Sequence, residues 1–112
     1  MNNQKVNFTP TYNGVPITNY TPADGEPFFL DVIDMPEANK AWSMHVVSEG
    51  AGKIDFYAGN SLDLEFIELS LSLIFDPDTP AIISESEFNY RYMRLKLTFD
   101  GDAGSTSISM VK

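Results

Sequence analysis

The sequence contains no cysteine, which excludes disulfides, thiolate nucleophiles and zinc sites of the cysteine type. It also suits a chain that folds in a reducing cytoplasm. Positive charge is scarce: seven Lys and Arg stand against 16 Asp and Glu, for a net charge of −9. The bases are dispersed along the chain, so no nucleic-acid footprint is expected, and a phosphate backbone would be repelled. There is one histidine, His45. No Gly-x-Ser-x-Gly elbow accompanies it for nucleophilic catalysis, and no second ligand for a metal. Long apolar runs are missing too. The longest, Leu62 to Phe75, is interrupted by Asp63, Glu65 and Glu68, which forbids a membrane span. The first five residues precede no apolar core, so no secretory signal is expected and synthesis is placed in the cytoplasm.

What remains is an ordinary globular composition, 43% hydrophobic and 12% aromatic, in 112 residues, enough for one domain. Residues 1–27 are rich in Asn, Thr and Pro, with prolines at 10, 16, 22 and 27. Proline removes ladder donors and confines strands to edges. These residues read as an extended N-terminal arm with short edge strands, lying on its own domain or on a neighbour. Deleting residues 1–20 is then expected to leave the domain folded.

Residues 28–112 read as a β-sandwich. Phe28–Ile33 is a compact apolar run closed by Asp34-Met35-Pro36. In Ala41–Ser48, Trp42, Met44 and Val46 take one phase and Ser43, His45 and Val47 the other, the period of a strand. Gly50-Ala51-Gly52 turns the chain, and Ile54, Phe56 and Ala58 continue the inward set. After Gly59-Asn60-Ser61, the set Leu69, Leu71, Leu73, Phe75 again has period two. Leu64 and Phe66 sit on the opposite phase, which predicts a register slip near Phe66-Ile67. A loop at 76–80 precedes a short Ala81–Ser84 strand. Met93, Leu95, Leu97 and Phe99 face inward, and residues 100–104 are expected to turn a closing hairpin onto Ile108 and Met110. About eight antiparallel strands with one hydrophobic face each specify an all-β, two-sheet sandwich.

Chemistry is sparse in this pattern. The acid pairs Asp76/Asp78, Glu85/Glu87 and Asp100/Asp102 lie in turns or at strand ends, where acids serve local hydrogen bonding. Residues 100–104 lack the terminal glutamate and ligand spacing of an EF-hand. No catalytic residue, metal or cofactor is expected, and no enzyme. The aromatics outside the inward faces are Tyr57, Phe88, Tyr90 and Tyr92, with Tyr12 and Tyr20 in the arm. Arg91 and Arg94 stand among them. Tyrosine and arginine are favoured at protein interfaces, so these eight residues form the candidate contact set.

The segments 42–47 (Trp-Ser-Met-His-Val-Val), 52–61 (Gly-Lys-Ile-Asp-Phe-Tyr-Ala-Gly-Asn-Ser), 89–99 (Asn-Tyr-Arg-Tyr-Met-Arg-Leu-Lys-Leu-Thr-Phe) and 105–111 (Ser-Thr-Ser-Ile-Ser-Met-Val) carry a resemblance. In this order they resemble small jelly-roll virion proteins of tailed bacteriophages, the capsid decoration, cement or stapling proteins. In size the chain is similar to those of epsilon-fifteen-type short-tailed phages. The resemblance covers about residues 41–111. It implies a glycine hairpin after the first of these strands and a Tyr-Arg-Tyr strand paired with the Ser/Thr-rich last strand. It also implies a jelly roll on the capsid exterior that clamps neighbouring major capsid subunits, as a homo-oligomer with a dimer favoured. No Trp follows the Asn60-Ser61 turn, where related carbohydrate-binding-like domains often carry one. A carbohydrate-binding or adhesion module is the alternative, and a hydrolase the remote one.

Overall fold

The computed structural model describes residues 6–22, 27–35, 41–101 and 104–112. Met1–Lys5, Pro36 and Asp102 lie outside them. Among the described residues the structure is all β, with no helix. The strands are β1 (Asn7–Phe8), β2 (Thr11–Tyr12), β3 (Val15–Pro16), β4 (Phe28–Phe29), β5 (Ile33–Asp34), β6 (Trp42–Ser48), β7 (Gly52–Gly59), β8 (Ile67–Phe75), β9 (Ala81–Glu85), β10 (Tyr92–Phe99) and β11 (Thr106–Val111).

One sheet has the order β1-β11-β6-β9 and the other β4-β10-β7-β8, with β5 also on β10. All pairings are antiparallel. With the small β2–β3 hairpin set aside and β4 and β5 taken as one broken strand, eight strands pass back and forth between two sheets as in a jelly roll, and only β7 and β8 are consecutive in one sheet. The sandwich expected from period-two patterning is therefore present, and its inner faces are the expected ones. Trp42, Met44 and Val46 face Ile54, Phe56 and Ala58, with Met93, Leu95, Leu97, Ile108 and Met110 completing the core. Trp42 stacks on Phe56 across the sheets, with ring centroids 5.1 Å apart. The Trp42 Nε1 donor is buried and has no acceptor among the described residues. Ser48 and Thr106, the buried polar side chains, bond each other at 2.8 Å.

The strand pairing corrects four expectations. The closing hairpin expected at residues 100–104 is absent among the described residues: β10 and β11 belong to different sheets. The glycines at 50 and 52 likewise join β6 in one sheet to β7 in the other. Alternation is local and specifies a side chain's face, whereas pairing is non-local and leaves no trace in it. Third, Leu64 and Phe66 precede β8, so no phase conflict exists near Phe66-Ile67. The register irregularity lies further on, where Asp55 pairs Ser72 but Tyr57 pairs Glu68. Leu69 to Leu71 thus stand opposite Phe56 alone, an insertion of even number that preserves inward parity. Fourth, Phe28–Ile33 is broken into β4 and β5, because Asp31 is drawn out of the ladder toward the N-terminal residues.

Residues 6–22 lie on their own sandwich. β1 pairs with the end of β11, the chain leaves through the β2–β3 hairpin, and Tyr20 then bridges Thr106 at the other end of β11. Ile17 is fully buried. Its amide donates to the Pro10 carbonyl at 3.0 Å, and its carbonyl accepts from the Ile108 amide at 2.9 Å. Asp31 caps the hairpin, accepting from Thr11 Oγ1 at 2.7 Å and from the amides of Asn13 and Gly14 at 3.0 and 2.9 Å. The turn needs left-handed backbone at both residues, φ 51° at Asn13 and 81° at Gly14.

The Thr11 hydroxyl, then the Gly14 amide, hold the Asp31 carboxyl below its ordinary value near 3.8. A lowered folded value stabilises the fold in full above the ordinary aspartate range, and the contribution is lost as pH falls through the lowered value. Asp31→Asn is therefore expected to cost about 1 kcal/mol at neutral pH. It should also flatten the acid limb of stability below about pH 4, by the same linkage. Urea titrations at a series of pH values check both; parallel acid limbs for the two proteins would refute the assignment.

Candidate protein-contact face

The outer face of the β4-β10-β7-β8 sheet gathers side chains far apart in sequence. Along β10, Tyr92, Arg94, Lys96 and Thr98 alternate with the core residues and point outward. Arg94 sits opposite Tyr57 on β7, and Lys96 lies between Asp55 on β7 and Phe29 on β4. The rings of Phe29 and Tyr57 meet edge-to-face across β10, with centroids 5.0 Å apart. The Arg94 guanidinium carbon is 4.8 Å from the Phe29 centroid and Lys96 Nζ is 5.6 Å from it, within the range of cation–π attraction. Arg94 Nε is fixed by donating to the Leu30 carbonyl at 3.0 Å.

At one end of this face Arg91 donates to Asp34 from Nε at 2.8 Å and from Nη2 at 3.3 Å. Its guanidinium lies 5.3 Å from the Tyr92 centroid. The Arg91 hydrogen bond holds the Asp34 carboxyl below its usual range; the pair is exposed, so it orients more than it stabilises. Desolvation, then the charge of Glu68, pushes the Tyr57 hydroxyl up. It stays protonated at neutral pH and donates to Glu68 Oε1 at 3.4 Å.

The structure brings Tyr57, Arg91, Tyr92 and Arg94 together and adds Phe29 and Lys96, which sequence reasoning missed. Phe29 carries no phase in the apolar run Phe28-Phe29-Leu30, and its pairing with Lys96 places it outward. Lys53, Arg91, Arg94 and Lys96, dispersed in sequence, belong to this sheet or its end. Tyr12 and Tyr20 lie elsewhere: their rings are 6.3 Å apart, and Tyr12 packs edge-on to Phe28 at 4.9 Å. The expectation that Phe88 is an exposed ring is corrected. It is 3% exposed and belongs to the core. Irregular backbone after β9 frees it from strand parity, and Tyr90 packs edge-on against it at 5.3 Å.

Asp76 and Asp78 are exposed in the loop before β9, and the Asp78 amide is tied to the Ser48 carbonyl at 2.7 Å. His45 is exposed on the other sheet, between Ser109 and Ile82. Among the described residues no three His, Cys, Asp or Glu gather as metal ligands would.

No protein-family model matches the sequence, and no curated protein matches it significantly. Solved structures do share the fold. The Tobacco streak virus coat protein is similar at a TM-score of 0.54 and 12% identity, over 99% of this chain and 86% of that one. The SPBc2 prophage-derived protein YomS is similar at 0.53 and 11%, over 96% of this chain and 91% of that one. The carbohydrate-binding module CBM36, solved with calcium and xylotriose, superposes more loosely, at 0.43 and 16% over 75% of this chain and 71% of that one. The chain thus has a jelly-roll fold of the kind found in viral coat proteins.

Proposed function

We propose that the chain is a phage virion structural protein that decorates the outer capsid surface and clamps neighbouring major capsid subunits. The observation that carries this reading is the face around Phe29, Tyr57, Arg94 and Lys96, ordered by its ring, cation–π and hydrogen-bond contacts. Its aromatic and cationic groups are held in place before any partner arrives, which lowers the ordering cost of binding. A ligand that binds only the assembled shell stabilises that shell by mass action, and a symmetric oligomer multiplies the effect. The resemblance over residues 41–111 supports the same reading. In it the protein acts as a homo-oligomer, a dimer being favoured, with the major capsid protein as partner.

The test is co-sedimentation with intact heads of a tailed phage. Arg94→Glu together with Lys96→Glu is expected to weaken attachment by about tenfold or more, with an unchanged circular-dichroism spectrum. Undiminished pelleting of the folded double variant would sink the assignment of this face. Retention on a glycan surface, lost in a Tyr57→Ala variant, would favour the carbohydrate-binding alternative instead.

A further inference from the structure

Among the described residues the two sheets have four outer edges, and three of them are blunted. β1 has two residues and is followed by Pro10. β4 also has two, and Pro27 stands before it. β9 has five and is preceded by Pro80. The fourth edge, β8, is the longest strand, with nine residues, no proline and no lysine, and Glu68 is its one charge. An unpaired edge of this kind is a template for another strand, which natural proteins suppress with short strands, prolines, charges or bulges; of these β8 carries Glu68 and the bulge at Leu69–Leu71.

The sequence of β8 indicates which strand it accepts. Leu69-Ser70-Leu71-Ser72-Leu73 reads the same in both directions. In two-fold antiparallel pairing residue i of one copy meets j of the other and j meets i, so this run sets leucine against leucine and serine against serine. Centred on Leu71, the pairing sets Leu69 against Leu73 on the core side and Ser70 against Ser72 outside. Glu68 meets the exposed Ile74 rather than a second Glu68, so no like charges oppose each other. The bulge opposite Phe56 leaves Leu69 and Leu71 only partly buried, and a second strand would cover them.

We infer that β8 is a self-association edge, joining two copies through a two-fold axis at Leu71 into one continuous sheet. This names the surface of the symmetric oligomer in the proposed clamp and rests on that reading to this extent. The two fail separately, because self-association is measured on the isolated chain and attachment on capsids.

Light scattering after size exclusion, across a dilution series, should give twice the 12.5 kDa of one chain. Ser70→Lys with Ser72→Lys places like charges opposite each other on both sides of the axis and is expected to give a folded monomer. Ser70→Lys with Ser72→Glu places opposite charges there and should restore the dimer. Because the chain has no cysteine, Leu71→Cys provides a separate test: mild oxidation should give a disulfide-linked dimer. A wild-type monomer at every concentration overturns the inference. So does a dimer that persists in the Lys/Lys variant, or a folded Leu71→Cys chain that does not cross-link.

Discussion

Gly52→Ala is expected to destabilise the protein by about 3 kcal/mol or more, at the upper end of what overpacking a core costs. A Cβ at Gly52 would land on the Thr98 carbonyl oxygen, 2.9 Å from Phe75 Cζ and 3.2 Å from Phe99 Cα. Two of those three obstacles are backbone. Gly52 pairs Phe99 on one side and Phe75 on the other, so the methyl can be accommodated only by parting β7 from β10. The loss is a large fraction of the roughly 5–15 kcal/mol that holds a domain together. The matched control is Gly101→Ala, where nothing lies within 4 Å, expected to stay within about 0.5 kcal/mol of wild type. Urea denaturation of both variants decides the matter. A Gly52→Ala midpoint indistinguishable from that of the control would show that the approach of β10 to β7 is looser than the structure has it.

Removal of residues 1–20 is expected to unfold the domain, the reverse of what the sequence pattern suggests. The deletion takes β1 from the edge of β11, strips the Ile108 amide of its acceptor and uncovers the core at Ile17. Ile17→Ala isolates the packing part and is expected to cost about 2–5 kcal/mol, the range for large-to-small substitutions at buried sites. Thr18→Ala, at the next residue but on an exposed side chain, should be nearly silent. Circular dichroism with thermal melts tests all three. A cooperative melt of the truncated chain near the wild-type temperature would mean that residues 6–20 are an appendage after all.

The contact face and the β8 edge were legible to different degrees. Tyr57, Tyr92 and Arg94 stand on the outward phase of strands that alternation marks clearly, and they are found together. Phe29 was hidden because Phe28-Phe29-Leu30 is an unbroken apolar run and carries no phase. Phe88 was misjudged because parity ends where a strand ends, at Glu85, and the residues after it can turn a ring into the core. The β8 palindrome is plain in the sequence, but its meaning depends on β8 lying at an edge.

By itself the sequence determined the all-β class, the inward set from Trp42 to Met110 and the lack of cysteine chemistry. Each of these follows from composition or from a two-residue period read within one strand. Only the tertiary structure decided that β6 and β7, and β10 and β11, are corners between sheets. It alone placed Ile17 in the core and left β8 without a second neighbour among the described residues. Those are statements about which backbone hydrogen bonds close over long separations, and a period of two is the same whichever strand lies alongside.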